Sequence, residues 1–66
     1  MHYEIEVNVA RRGSEPIWQS LVDDNAEECR WDNESDARAA LVAEDYGEDA
    51  RLMRYDNSGV GRVFPV

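Results

Sequence analysis

The chain has 66 residues, 42% of them hydrophobic, and a formal net charge of −8. That length makes a single small domain over residues 1–66, with a core burying only about 60% of the unfolded surface, and that hydrophobic share is too high for full disorder. A field of this sign repels nucleic acid and anionic membranes, so the partner it attracts is a basic protein.

The first element is legible from alternation. In "HYEIEVNVA", Tyr3, Ile5, Val7 and Val9 point one way and His2, Glu4, Glu6 and Asn8 the other. Period two with β-branched residues reads as a strand with one buried face. "RRGSEP" is a turn, in which Gly13 can take positive φ. "IWQSLV" fits either a helix (Ile17/Leu21 and Trp18/Val22 are four apart) or a second strand. The strand is preferred, because Pro16 suits a strand start and the segment is short for a helix. "DDNAEE" then reads as a polar loop and "CRW" as a short third strand or extended lead-in.

"DNESDARAALVAEDYG" is the principal helix, expected from Asn33 to Tyr46. Asp32 or Asn33 can cap its start, where the dipole also favours Glu34 and Asp36. Ala37, Ala40, Leu41 and Ala43 form a narrow apolar stripe that lets the helix lie close on a sheet. Gly47 is the expected stop, in the left-handed conformation. "ARLMRYD" follows as a strand, "DNSG" as a turn, and "VGRVFPV" as a last strand with Val60, Val63, Phe64 and Val66 to bury. Pro65 lacks an N–H and places that strand at an edge. The expected fold class is α+β: a small antiparallel sheet of three to five strands with one principal helix packed on one face.

The acidic charge is concentrated. Residues 1–22 carry net −1, residues 23–49 carry eleven acids and two arginines for net −9, and residues 50–66 carry net +2. All seven basic residues are arginine. Clustering of the acids favours a GC-rich genome over salt adaptation as the reason, since adaptation to salt spreads acids over the whole chain. The candidate partner-binding surface comprises Asp23, Asp24, Glu27 and Glu28 from the loop, with Asp32, Glu34, Asp36, Glu44, Asp45, Glu48 and Asp49 on and around the helix. A rigid row of carboxylates can occupy a groove built for phosphates, although a rise of ~1.5 Å per helical residue matches ~3.4 Å per phosphate only approximately. Trp18, Trp31 and Tyr46 could anchor such an interface or serve the core.

Chemistry of other kinds finds little footing. His2 stands alone as a general base, beside a terminus. Cys29 has no second cysteine, and Glu27 and Glu28 disfavour its thiolate while Arg30 partly offsets them. A lone cysteine fits a reducing cytoplasm or a disulfide between chains. From Asp23 a calcium loop is partly matched, with Glu34 at its twelfth position, but Glu28 stands where glycine is needed. "GVGR" lacks the following helix of a phosphate loop. Pairs such as Glu44/Asp45 and Glu48/Asp49 read as parts of a solvated face rather than as an enclosed acid–base pair. The expectation is no catalysis, no cofactor and no metal. "MHYEIEVNV" has no basic start or apolar run, and no stretch approaches the ~20 apolar residues of a membrane span, so a soluble cytoplasmic protein is expected.

"YEIEVNV", "CRWDNESDARAALVAEDYG" and "ARLMRYD" together resemble the strand–helix–strand plan of small acidic phage-encoded anti-CRISPR proteins that act on type I systems. The resemblance covers most of the chain in size, layout and charge, without a signature motif, and carries over no functional residues. It implies a non-enzymatic inhibitor in the bacterial cytoplasm; a monomer is expected in preference to a dimer. Such a protein would bind a type I Cas effector subunit or complex and block target DNA as a DNA mimic. Arg51, Arg54 and Arg62 would confine the mimicry to one face. The alternative is an accessory or interaction protein whose acids serve solubility, with an exposed strand edge as a route to assembly.

Overall fold

Strand β1 (His2–Asn8) is flanked on both sides, and the direction of its backbone groups organises the rest of the chain. In the computed structural model, which describes residues 1–64, it lies within a four-stranded antiparallel sheet of order β2–β1–β3–β4. One edge of β1 is followed throughout by the segment that comes next. Val9 donates to the Ile17 carbonyl, Ile5 accepts from Leu21, and Tyr3 exchanges two backbone bonds with Trp31 at 2.8 and 2.9 Å. Within that run β2 (Trp18–Ser20) is the regular part, paired Asn8↔Trp18 to Glu6↔Ser20. The other edge takes β3 (Ala50–Tyr55), from Val7↔Ala50 to His2↔Tyr55, and β4 (Gly61–Val63) completes the sheet beyond it.

The hairpin between β1 and β2 is closed by a side chain. The Asn8 amide oxygen accepts from the backbone N–H of Ala10 and of Ile17, both at 3.0 Å, while Gly13 takes φ 88° in the turn. A strand is the outcome for residues 18–20, and "CRW" is an extended lead-in whose backbone bridges β1 at Trp31.

Helix α1 (Glu34–Glu44) crosses one face of the sheet. Asn33 is its N-cap: the Asn33 side-chain oxygen accepts from the Asp36 backbone at 2.8 Å, and its amide donates back to the Asp36 carboxylate at 3.0 Å. This reciprocal pair satisfies a helix donor that would otherwise be orphaned. Tyr3, Ile5, Ala37 and Leu52 form the centre of the core, with Ile5 and Leu52 fully enclosed. Val7, Leu21, Trp31, Ala40, Leu41, Ala50 and Phe64 pack around it. Alanine at 37 lets the helix backbone approach the strands.

Several boundaries differ from the expectation. The helix stops at Glu44 rather than Tyr46, because Asp45 turns left-handed at φ 55° and its amide bonds to Val42. Gly47, also at positive φ, instead opens a short 3₁₀ turn (Gly47–Asp49) into β3. Ala43 is exposed and Leu41 half-buried, so the stripe is narrower than its spacing suggests. Val9 is exposed because it lies past the end of β1. Val60 and Val63 are also exposed: one sits before β4 and the other on the sheet face away from the helix. β4 is an edge strand. The expectations for Pro65 and Val66 fall outside the described residues. Among the described residues no helix is long and apolar enough to cross a membrane.

Candidate functional site

The acidic loop is a built structure. Between Leu21 and Cys29 the chain leaves the edge of β1 and returns to it as a small two-stranded spur. Cys29 donates to the Leu21 carbonyl at 3.0 Å, Val22 and Glu28 form a bridge, and Asp23 donates to Glu27 at 2.9 Å. Asp24, Asn25 and Ala26 make the tip, with Ala26 at φ 62°. A three-residue hairpin loop ending in a left-handed residue is a common closure. The Asp23 carboxylate locks it, accepting from the backbone N–H of Asn25 at 2.8 Å and of Glu27 at 3.1 Å. Asp23 therefore works as a turn former, the side-chain-to-backbone geometry that aspartate favours.

Around this lock the spur presents Asp24, Glu27 and Glu28 to solvent. Among the described residues Asp24 and Glu27 have no cation within ion-pair distance, and Glu28 has only the exposed Arg30 at 3.9 Å. Glu44, at the end of α1, belongs to the same field. Burial, then the charges of Asp23 and Glu44, pushes the Cys29 thiol above its ordinary 9.0. The residues acting on the thiol are thus brought in by the fold, in place of the chain neighbours Glu27 and Glu28.

The remaining acids are dispersed into other work. Glu34 forms an i,i+4 ion pair with Arg38 at 2.7 Å, and Asp36 belongs to the helix cap. Asp32 is exposed just before that cap, and Asp45 holds the left-handed helix end. Glu48 and Asp49 line an open cleft of about 620 Å³ opposite Arg11 and Arg12. The eleven acids therefore fall into three groups: the spur with Glu44 and the adjoining Asp45, the helix start, and the mixed-charge cleft. The outward side of α1 contributes little charge, since Ser35, Ala39, Val42 and Ala43 are exposed along it.

The sheet face opposite the helix holds what the sequence did not signal. The alternation of β1 turns Glu4 away from the core side, yet it is only 4% exposed. Its oxygens meet His2 Nε2 at 2.7 Å and the Ser20 hydroxyl at 3.4 Å, with Arg30 Nε at 3.8 Å. The His2 ring stacks on Tyr55 at 5.0 Å, so the one histidine is already engaged on both sides. Beside it the Arg51 guanidinium lies 4.2 Å from the Trp18 ring centre and bonds Glu6 at 2.6 Å, a cation–π contact closed by an ion pair. Burial, and the nearby Glu4, Glu6 and Glu28 carboxylates, raise the Tyr55 hydroxyl above its ordinary 10.0, with Arg51 opposing. The only warning in the sequence was that residues two apart on β1 share a face, which juxtaposes His2, Glu4 and Glu6.

Trp31 packs against the core, Trp18 is covered by Arg51, and Tyr46 is exposed. Among the described residues no three His, Cys, Asp or Glu side chains gather where a metal ion could be held. The chain matches no family model, no curated protein and no solved structure.

Proposed function

We propose that this chain is a non-enzymatic binding protein whose acid-tipped spur occupies a basic surface of a partner protein built to hold nucleic acid. The observation that carries this reading is the spur itself. Its carboxylates stand on a backbone-bonded hairpin, so little ordering entropy remains to oppose binding. Glu27 and Glu28 are chain neighbours, so their side chains leave opposite faces of the spur while Asp24 stands at its tip, which spreads negative charge around the hairpin end. Glu44 adds to the same field, while Arg54 and Arg62 lie on the far strands of the sheet.

The partner that fits both this surface and the resemblance in layout is a type I Cas effector subunit or complex, inhibited at its target-DNA channel. A second reading, charge for solubility alone, is favoured by one observation: Glu34 and Asp36 are engaged within the fold itself.

The deciding experiment measures target-DNA binding by a purified type I effector complex. It compares wild-type protein with the Asp24→Arg/Glu27→Arg/Glu28→Arg variant, which spares the turn-forming Asp23. Wild-type protein should compete with DNA, more weakly as salt rises. The triple variant should lose competition while keeping its circular dichroism spectrum. Undiminished DNA binding at saturating wild-type protein would reject the mimic.

A further inference from the structure

The open edge of the sheet carries a feature of opposite sign. β3 and β4 are paired so that Phe64 donates to the Leu52 carbonyl at 2.8 Å and Asp56 donates to Val60 at 3.1 Å. With Arg54 opposite Arg62 between them, these are the hydrogen-bonded pairs of the ladder. Gly61 and Val63 therefore turn their N–H and C=O groups away from β3, toward solvent. Among the described residues nothing pairs with that edge, which makes it a template for another strand.

The side chains around the edge are not neutral. Arg54 and Arg62 are direct cross-strand neighbours on one face, an arrangement that costs stability when both carry the same charge. Among the described residues neither has a carboxylate within ion-pair distance, although the chain has 15 acids. Arg54 reaches only the Met1 sulfur, at 2.9 Å, and its guanidinium carbon lies 5.7 Å from the Phe64 ring centre. The nearby Asp56 carboxylate is occupied by the backbone N–H of Ser58 and Val60. Arg54, Arg62, Phe64, Val60 and Val63 line a cleft of about 330 Å³ together with that turn-bound Asp56.

From this geometry we infer that β4 receives an acidic extended peptide segment of a partner protein as a fifth strand. Main-chain bonds form at Gly61 and Val63. The residue facing Arg62 is then in a non-hydrogen-bonded pair, with side chains at their closest, and is a glutamate or aspartate. Its two neighbours point to the opposite face, beside the exposed Val63 and the side-chain-free Gly61, and are apolar. A second copy of this chain fits poorly, because pairing β4 with β4 brings Arg62 against its own counterpart. The inference is independent of the spur, and it gives the molecule a second contact surface of opposite charge.

The probe is a blocked Glu-Val-Glu-Val-Glu peptide titrated into the ¹⁵N-labelled full chain. Amide shifts are expected at Gly61–Phe64 and Arg54. Solvent exchange should slow several-fold at the Gly61 and Val63 amides, while the Arg62 amide, already bonded to β3, changes little. Arg62→Glu and Arg54→Glu, both exposed positions, should keep the fold and lose the response. A Lys-Val-Lys-Val-Lys peptide should give none. The inference is overturned if β4 is unperturbed at millimolar peptide, or if shifts appear without protection of Gly61 and Val63. It is also overturned if Arg62→Glu responds as wild type, or if β4 protection depends on protein concentration without peptide. Loss of this response with the spur's competition intact would separate the two surfaces.

Discussion

The ring of Tyr55 lies across the backbone of Gly61, its cross-strand partner, so closely that a Cβ at position 61 would sit 2.5 Å from the Tyr55 Cε1 atom. The glycine is favoured there by space, since the Tyr55 ring would have to shift to admit a Cβ and the φ of Gly61 is not among the positive ones. An aromatic side chain covering a glycine on a neighbouring strand restores the packing that the glycine lacks.

Gly61→Ala should therefore destabilise the fold by about 1–3 kcal/mol, the usual penalty of overpacking. Chemical denaturation measures it, and the Tyr55→Ala background should reduce the penalty. An additive double mutant would show that the ring does not lie over residue 61.

Leu52 and Leu41 both face the core, but only Leu52 is fully enclosed. Leu52→Ala should cost about 2–5 kcal/mol, a large share of the stability of so small a domain. Leu41→Ala should cost clearly less, because its side chain keeps part of its surface in water in the native state. Equal losses in urea melts would place α1 deeper on the sheet than the half-burial of Leu41 implies.

Asp23 and Asp24 are chain neighbours with different work. Asp23→Ala removes the acceptor for two backbone N–H groups and should cost about 0.5–2 kcal/mol. Asp24→Ala should stay within about 0.5 kcal/mol, as exposed substitutions usually do. Ala26→Gly should stabilise the spur, because glycine takes the left-handed φ without a Cβ clash. Amide exchange at Glu27 and Cys29 reads all three locally, and a protected Asp23→Ala spur would contradict the lock.

Glu44 should govern the chemistry of Cys29 across space. The thiol is held above 9.0 first by burial and then by Asp23 and Glu44. Only the thiolate reacts with iodoacetamide, so alkylation near neutral pH should be slow. Glu44→Gln should lower the thiol's pKa and speed the reaction, whereas Glu48→Gln should leave it unchanged. The pH dependence of the rate separates a pKa effect from a change in access. If Glu44→Gln leaves that profile unmoved, the helix end does not share a field with the spur.

The features legible in the chain are those whose information is local. The β1 alternation, the turn through Gly13, the Asn33 cap and the turn at Asp56 each depend on residues within a few positions, so spacing and side-chain type suffice. The antiparallel sheet with one covering helix follows from those pieces, because a helix with one apolar stripe must bury it against something. Tertiary structure decided the rest. Glu4 became buried because Ser20, Arg30 and Tyr55 arrive from three separate parts of the chain beside its strand neighbour His2. The acidic run from Asp23 to Asp49 was one block in the sequence but three groups in space. Charge counts add along the chain, whereas side-chain direction is set by each residue's turn, cap or ladder. The helix end at Asp45 and the arginine pair on β3 and β4 were likewise invisible, because a left-handed cap and a strand register are settled by which backbone bonds the whole fold leaves unmade.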